Sequence, residues 1–441
     1  AYHGSQEPTH IVELMASKLR RLSDETRGVL RVAGALGGEF DLATLAAASG
    51  TPPAIVWTHL WPAVSVGTVV ALDEAWKLIG LDVEGLAETL DVRFRFSHDR
   101  VQQAAYSLTP PQELPTLHAL VGRRLLALLP ADAPSDKLFS VVGHLNAGRS
   151  APDALGAAAL VLSSLNLRAA QRAKASAAFA AARDYARIGL ELLGDGAFEA
   201  DYDLAMALCT LLVETAYQTG DLPLMDHWFA VGVGKSRQAL DTAWMQEIKT
   251  ESYNSRGLPL EALSHALSYL EQLGVSCPRA PGPEDVGAEL GRTAALLQGR
   301  TLEDLAAMPD IADPAVRTAV GLICKVYSSA YVASPFVFVV LTLKQVQLVI
   351  QHGNCAVSSL AYAVYGLLLA GLTGDVRTAY DFGRLSDGLL GRPDTRRYRA
   401  QALHLFSCHT RFWREHVRNS ADGEREAWRV ASSVMNLMLA L

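Results

Sequence analysis

Charge is scarce in this sequence: 19% of its 441 residues are charged, and half are hydrophobic. Such a composition excludes a disordered chain, because it supplies enough apolar surface to offset the entropy of ordering the backbone. The net charge of −7 argues against a general nucleic-acid binder. Cysteine is sparse as well. Cys209, Cys277, Cys324, Cys355 and Cys408 form an odd, dispersed set without any C-x-x-C pair, which fits reduced thiols in a cytoplasmic protein better than a disulfide framework. The start lacks an initiator Met, a basic n-region and an apolar h-region. The end, Val434 to Leu441, stops within an apolar helical pattern with no cap, so the chain reads as an interior piece of a longer protein. No nucleophile–base pair, carboxylate dyad or metal set stands out. No enzyme, catalytic residue or metal ligand is therefore expected.

Long uncharged runs are few. Val326 to Leu343 is interrupted by Pro335, and Cys355 to Gly374 is diluted by Ser, Tyr and Gly and has no basic flanks. Both are expected to be buried helices of a soluble array, with no membrane partner.

What is present is strongly patterned. His10 to Leu22 carries a helical stripe, and Ser23, Asp24 and Glu25 open a second helix that Gly37-Gly38 stops. A short helix over Asp41 to Ser49 ends at Gly50. Thr51 is the expected cap of the next one, with Pro52 at its first position. Thr68 to Leu72 and Arg93 to Phe96 read as paired strands, the latter alternating Arg and Phe. The pattern then switches to helical at Val101, Ala104, Ala105 and Leu108, with capping-box spacing at Asp99 and Gln102. His98 thus sits at a strand-to-helix corner. Helices followed by a two-stranded ribbon make a winged helix, placed at residues 1–130. Its helix in the recognition position, Pro53 to Ser65, holds no Lys, Arg, Asn or Gln, so base and phosphate contacts lack donors and no nucleic-acid partner is expected.

Two short runs imitate nucleotide motifs. Val69 to Glu74 looks like a Walker B strand, and Gly234-Lys235-Ser236 like the tail of a P-loop. Phe229 stands where a P-loop needs Gly or Ala, Asp226 to Val233 reads as helix, and the order of the two is reversed.

After the break at Ala131 to Ser135 the pattern is helical. The spacing of Ala169, Ala173, Ala177, Phe179, Ala182 and Tyr185 is that of a tetratricopeptide helix pair turning near Ser176. Further turns fall at Thr219-Gly220-Asp221, Arg256-Gly257-Leu258 and Thr373-Gly374-Asp375, separated by 44, 37 and 117 residues. The last gap is three times 39, which predicts two more turns, at Gln298-Gly299-Arg300 and Ser334-Pro335. Pro278 to Pro283 is an expected surface loop. The fold class is therefore mainly α: a small winged helix, then a TPR-like superhelix over 131–441 whose concave groove would take a protein partner. His404, Cys408 and His409 share a short stretch without zinc-motif spacing and read as packing or solvent-exposed residues. Arg384, Arg392, Arg396, Arg397, Arg399, Arg411, Arg414 and Arg418 make either a solvated face or a dock for an acidic partner.

The run Phe94-Arg-Phe-Ser-His-Asp-Arg-Val-Gln-Gln-Ala-Ala-Tyr-Ser-Leu108 closely resembles the segment that follows the ATPase module in large bacterial signalling proteins of the STAND class. Leu138 to Asn146, Tyr217 to Asp221, His352-Gly-Asn354, Thr373-Gly-Asp375 and His409 to His416 are similar to the same family, and the likeness departs at Asp73 to Leu90 and over the last twenty residues. Such proteins combine a serine/threonine kinase-like domain, a P-loop ATPase, helical repeats, a GAF domain and a sensor histidine kinase. The resemblance implies a cytoplasmic, non-catalytic regulatory segment whose partners are an upstream ATPase and kinase domains of the same chain. Cofactors would be ADP or ATP with Mg in that parent and none here. It also implies that His98, with Arg100 as a second candidate, reaches the β-phosphate of ADP. The alternative is a stand-alone TPR-like adaptor that only binds a partner.

Overall fold

The computed structural model describes residues 7–79, 92–151 and 158–440, and the chain is mainly helical. It divides into two compact units, Ala1–Leu208 and Cys209–Leu441. The boundary expected at residue 130 lies inside the first. Of the departure expected over Asp73 to Leu90, residues 80–90 fall outside the described residues.

In the first unit, helix Asp24–Leu36 begins at the expected place. Ser23 Oγ accepts from the Thr26 amide at 3.3 Å, and Asp24 and Glu25 sit where the helix dipole favours negative charge. The next strand, β1 (Glu39–Asp41), carries a single apolar residue and leaves no legible pattern in the sequence. Its Asp41 also caps helix Leu42–Ser49, accepting from the Thr44 amide at 2.6 Å, and that helix ends at Gly50. Helix Pro53–Ser65 follows. Its cap is Pro52 rather than Thr51, because the second proline takes the first helical position, where a missing N–H costs nothing. The Thr51 hydroxyl turns back to the Ser49 carbonyl instead.

Strands β2 (Val69–Ala71) and β3 (Arg93–Phe96) complete an antiparallel sheet in the order β1-β3-β2. Phe40 lies opposite Phe94, and Val69 opposite Phe96. Alternation along β3 works as read from the sequence: Phe94 and Phe96 are buried, Arg93 and Arg95 exposed. Phe40 and Trp57 stack on Phe94 at 6.0 and 5.8 Å. Each buried phenylalanine contributes about 2 to 3 kcal/mol relative to an exposed one.

The helix after β3 spans Asp99–Tyr106, and its cap is His98, not Asp99. The His98 backbone is extended, at φ −153° and ψ 152°, so the helix begins one residue earlier than a capping box at Asp99 would require. Asp99 becomes the first helical residue. Gln102 donates from Nε2 to the Gly34 carbonyl at 2.6 Å and thereby ties this helix to Asp24–Leu36.

Four of the six expected helix-pair turns share one backbone geometry. Ala177, Gly220, Gly257 and Gly374 are left-handed, with φ between 58° and 75°. The residues after them, Ala178, Asp221, Leu258 and Asp375, all have φ between −110° and −79° and ψ between 62° and 76°, and a helix starts at the next position. In three of them the amide of that second residue returns to the carbonyl five positions back, as in a Schellman turn: Ala178 to Ala173, Asp221 to Ala216 and Leu258 to Tyr253. The two interpolated turns differ. Gly299 leads through an extended Thr301 into the five-residue helix Leu302–Ala306. Ser334, at φ −158°, joins Tyr327–Ala333 to Pro335–His352 without a left-handed residue.

In the second unit the core gathers around Pro335–His352 and Ser358–Thr373. Among the described residues Pro335–His352 is the one helix long and apolar enough to cross a membrane, and 61% of it is buried inside the protein, as in a core helix. Pro335 stands at the start of that helix, where it suits the first turn. The His352-Gly-Asn354 run is architectural. Gly353 has φ 117°, and a Cβ there would lie 2.2 Å from the Pro309 carbonyl oxygen. The fully buried Asn354 donates from Nδ2 to the Leu305 carbonyl at 2.7 Å and from its amide to the Pro309 carbonyl at 2.8 Å.

Candidate functional site

At the strand-to-helix corner of the first unit, His98 and Arg100 are both exposed. The imidazole of His98 forms no hydrogen bond among the described residues, while Arg100 Nη1 donates to Gln103 Oε1 at 3.2 Å. Arg93 and Arg95 project from the outward face of β3 just before this corner. The surface thus presents three guanidinium groups and an imidazole in one short stretch, a set of donors suited to phosphate oxygens.

Neither nucleotide-like run is built for a phosphate. Asp73 accepts from the Ala75 amide at 3.0 Å and from the Arg93 amide at 3.4 Å, which closes the loop between the strands. Lys235 lies in the last turn of helix Leu222–Lys235, and Ser236 is its C-cap. A helix C-terminus carries partial negative charge and repels anions, whereas a P-loop needs the opposite end.

Helix Pro53–Ser65 presents Ile55 and Trp61 outward, 46% and 42% exposed. Trp61 packs on Trp57 at 5.4 Å and on Trp76 at 5.6 Å. This face is apolar and aromatic, not cationic.

Residues of the LFSVVGHLN run are structural as well. Asn146 and Asn166 exchange reciprocal amide hydrogen bonds at 2.8 and 2.9 Å. His144 joins a chain in which Tyr106 Oη meets His118 Nε2, and His118 Nδ1 meets His144 Nδ1, each at 2.9 Å. Burial, and then the neighbouring His118, push the His144 pKa down to about 4.

In the second unit a cleft of about 1060 Å³ opens between the helices Ala243–Ser255, Tyr327–Ala333, Ser358–Thr373 and Arg399–Leu405. Its wall is apolar, with Phe338 and Val364 inside and Tyr331 and Val332 at the lip, 65% and 71% exposed. Lys325 and Arg397 supply its cations, and Glu251 and His404 also line it. Lys325 faces Glu247 at 3.4 Å, and the Arg397 guanidinium lies over the Tyr398 ring at 4.6 Å. A large concave apolar surface with a few convergent polar groups is what a peptide or helix requires of a binding groove.

Beside His404 the chain makes a π-helical turn over Phe406–Thr410. The turn displaces Cys408 and His409 from regular helical positions, and such turns recur at functional sites. His404 Nδ1 lies 2.9 Å from Glu424 Oε2 and 3.7 Å from Cys408 Sγ. Spacing within residues 404–409 showed only two neighbouring ligand types. Glu424 comes from the next helix, Val417–Ala440, and no local pattern announces it.

Part of the arginine cluster is consumed internally. Arg392 pairs with Asp310 at 2.6 Å and Asp394 at 3.2 Å, and Arg411 with Glu415 at 3.0 Å. Arg399 Nη1 donates to the Leu390 carbonyl at 3.3 Å.

Comparison of the chain with known protein families, curated proteins and solved structures found no match.

Proposed function

We propose that this chain is a non-catalytic regulatory segment of a cytoplasmic bacterial STAND-type signalling protein, a winged helix over 1–130 followed by TPR-like repeats over 131–441. The observation that carries this reading is the order helix, strand, two helices, strand, strand over Asp24 to Phe96, with the short helix Trp76–Ile79 between the last two strands, the sheet arranged β1-β3-β2, and an exposed His98 at its exit whose imidazole has no partner among the described residues. A winged helix has that order, and the exposure of His98 is compatible with contact to a neighbouring domain. In this reading an ATPase module of the parent protein holds ADP or ATP with Mg, and His98, assisted by Arg100, donates to a phosphate of the ADP state. Nucleotide turnover changes how the winged helix docks, and the repeats pass that change to kinase domains of the same chain. The Pro53–Ser65 helix, which has no Lys, Arg, Asn or Gln, argues against DNA as the partner of this domain.

The recurring turn geometry at residues 177, 220, 257 and 374 supports the repeat reading, and the apolar cleft supports a protein partner held there. A stand-alone adaptor rests on the cleft alone and needs no nucleotide.

The test begins with the reading frame upstream of Ala1, where a P-loop followed by a Walker B strand is expected. In the protein carrying it, His98→Ala should weaken ADP retention about tenfold or more, the worth of one hydrogen bond to a charged group. ADP affinity unchanged by the substitution removes His98 from the mechanism. A parent without a P-loop leaves the adaptor.

A further inference from the structure

We propose that His404, Cys408 and Glu424 form a zinc site with three protein ligands and an open fourth position. The ligand atoms, imidazole Nδ1, thiol Sγ and a carboxylate oxygen, all lie within 4.8 Å of one another. Tetrahedral zinc with bonds of about 2.0 to 2.3 Å sets its ligand atoms roughly 3.2 to 3.7 Å apart. The 3.7 Å sulfur–nitrogen separation already meets that spacing, and the 2.9 Å nitrogen–oxygen pair needs to open by only about 0.3 Å.

The groups are also of the right kind. Thiolate and imidazole together select zinc over magnesium or calcium, and a thiolate with a carboxylate offsets the charge of a divalent ion. The second carboxylate oxygen, Glu424 Oε1, is buried and has no hydrogen-bond partner among the described residues, so the carboxylate is engaged through Oε2, at His404, and keeps one oxygen unused.

The local fold brings the three together by two devices. The π-helical turn carries Cys408 to the side of His404, and Gly423 lets the following helix approach: a Cβ there would stand 2.1 Å from Ser407 Oγ. Glu424, the next residue, is thereby set against the triad. His404 also lines the large cleft, so the ion lies at the cleft's edge and staples helix Val417–Ala440 to helix Arg399–Leu405, which forms part of its wall. Zinc displaces the Cys408 thiol proton to solvent and holds the sulfur as thiolate. Water fills the fourth position.

The test uses the full chain, stripped with chelator and dialysed against zinc at about 10 µM, with metal content and thiol alkylation as readouts. The expected result is about one zinc per chain, protection of Cys408 from alkylation, and a thiolate-to-metal charge-transfer band when cobalt replaces zinc. Cys408→Ser and Glu424→Gln should each weaken binding at least about tenfold, with an unchanged circular dichroism spectrum, and Cys277→Ser should leave it intact. Failure of the wild-type chain to retain zinc overturns the site. So does full retention by both ligand variants. Cys408 protection in the wild-type chain needs no variant to fold, and its absence in the zinc-loaded protein overturns thiolate ligation.

Discussion

His118 and His144 face each other through their Nδ1 atoms at 2.9 Å, so one ring donates and the other accepts, and burial favours the neutral form of both. Protonating the accepting ring sets two donors face to face.

Acid should therefore loosen both units. Burial drives His144 in the first unit and His265 in the second down to about 4, from an ordinary value of 6.5. The unfolded chain takes up these protons at higher pH than the folded chain, so stability is intact above pH 6.5 and falls as pH drops toward 4. For the nearly buried His144 the loss is about 2 kcal/mol by pH 5 and about 3 by pH 4. Denaturant midpoints at pH 7 and 5 measure it. In His144→Leu the gap between the two midpoints should shrink for the first unit.

Ala177 occupies the left-handed position that glycine holds at residues 220, 257 and 374. A Cβ there costs about 1 kcal/mol. Ala177→Gly should raise the thermal midpoint, while Gly257→Ala should lower it by a similar free energy. Equal melting of Ala177→Gly and the parent would mean that the site carries no strain.

Gly353→Ala and Gly291→Ala should act in opposite directions. The first forces a side chain onto the Pro309 carbonyl at a left-handed φ and should cost about 3 kcal/mol or more. The second adds a methyl in open space on helix Pro283–Leu297 and should stabilise by about 0.5 to 1 kcal/mol. Chemical denaturation of the two variants side by side separates these effects.

Glu289 is buried and gathers Lys344 at 2.9 Å, Arg292 at 2.6 Å and Gln347 at 2.9 Å. Glu289→Leu leaves the Lys344 ammonium, itself largely covered, without its counter-charge, and should cost about 2 to 3 kcal/mol. Adding Lys344→Met should recover part of that loss. Additive destabilisation in the double variant would show that the pair is not coupled.

The elements that were legible in the sequence are those written locally. Ser23, Gly37 and Gly50 mark helix ends because a cap or a left-handed residue is a property of one or two positions. The Arg-Phe-Arg-Phe alternation showed its buried face because strand period and burial period coincide. Strand β1 escaped because three residues with one apolar member carry no period. The cap at His98 escaped because Asp99 and Gln102 have the right spacing for a box that the backbone does not use. Helices break at 299 and 334 as the forty-residue spacing predicts, but the residues that lead into the next helix there adopt other dihedral angles than at the four matching turns, a difference the spacing does not carry. Of the candidate zinc site, only His404 and Cys408 could be seen. Glu424 reaches them by packing between helices, which depends on Gly423 having no side chain.

Helix Pro335–His352 has a consequence for how the molecule fails. Phe336 to Leu343, reading FVFVVLTL, is uncharged and rich in β-branched and aromatic residues, the composition from which cross-β aggregates nucleate. Its inward positions are shielded while the second unit stays folded. Heating that opens this unit exposes the whole stretch to other chains at once, so its unfolding should end in irreversible aggregation, with a half-life that shortens as protein concentration rises.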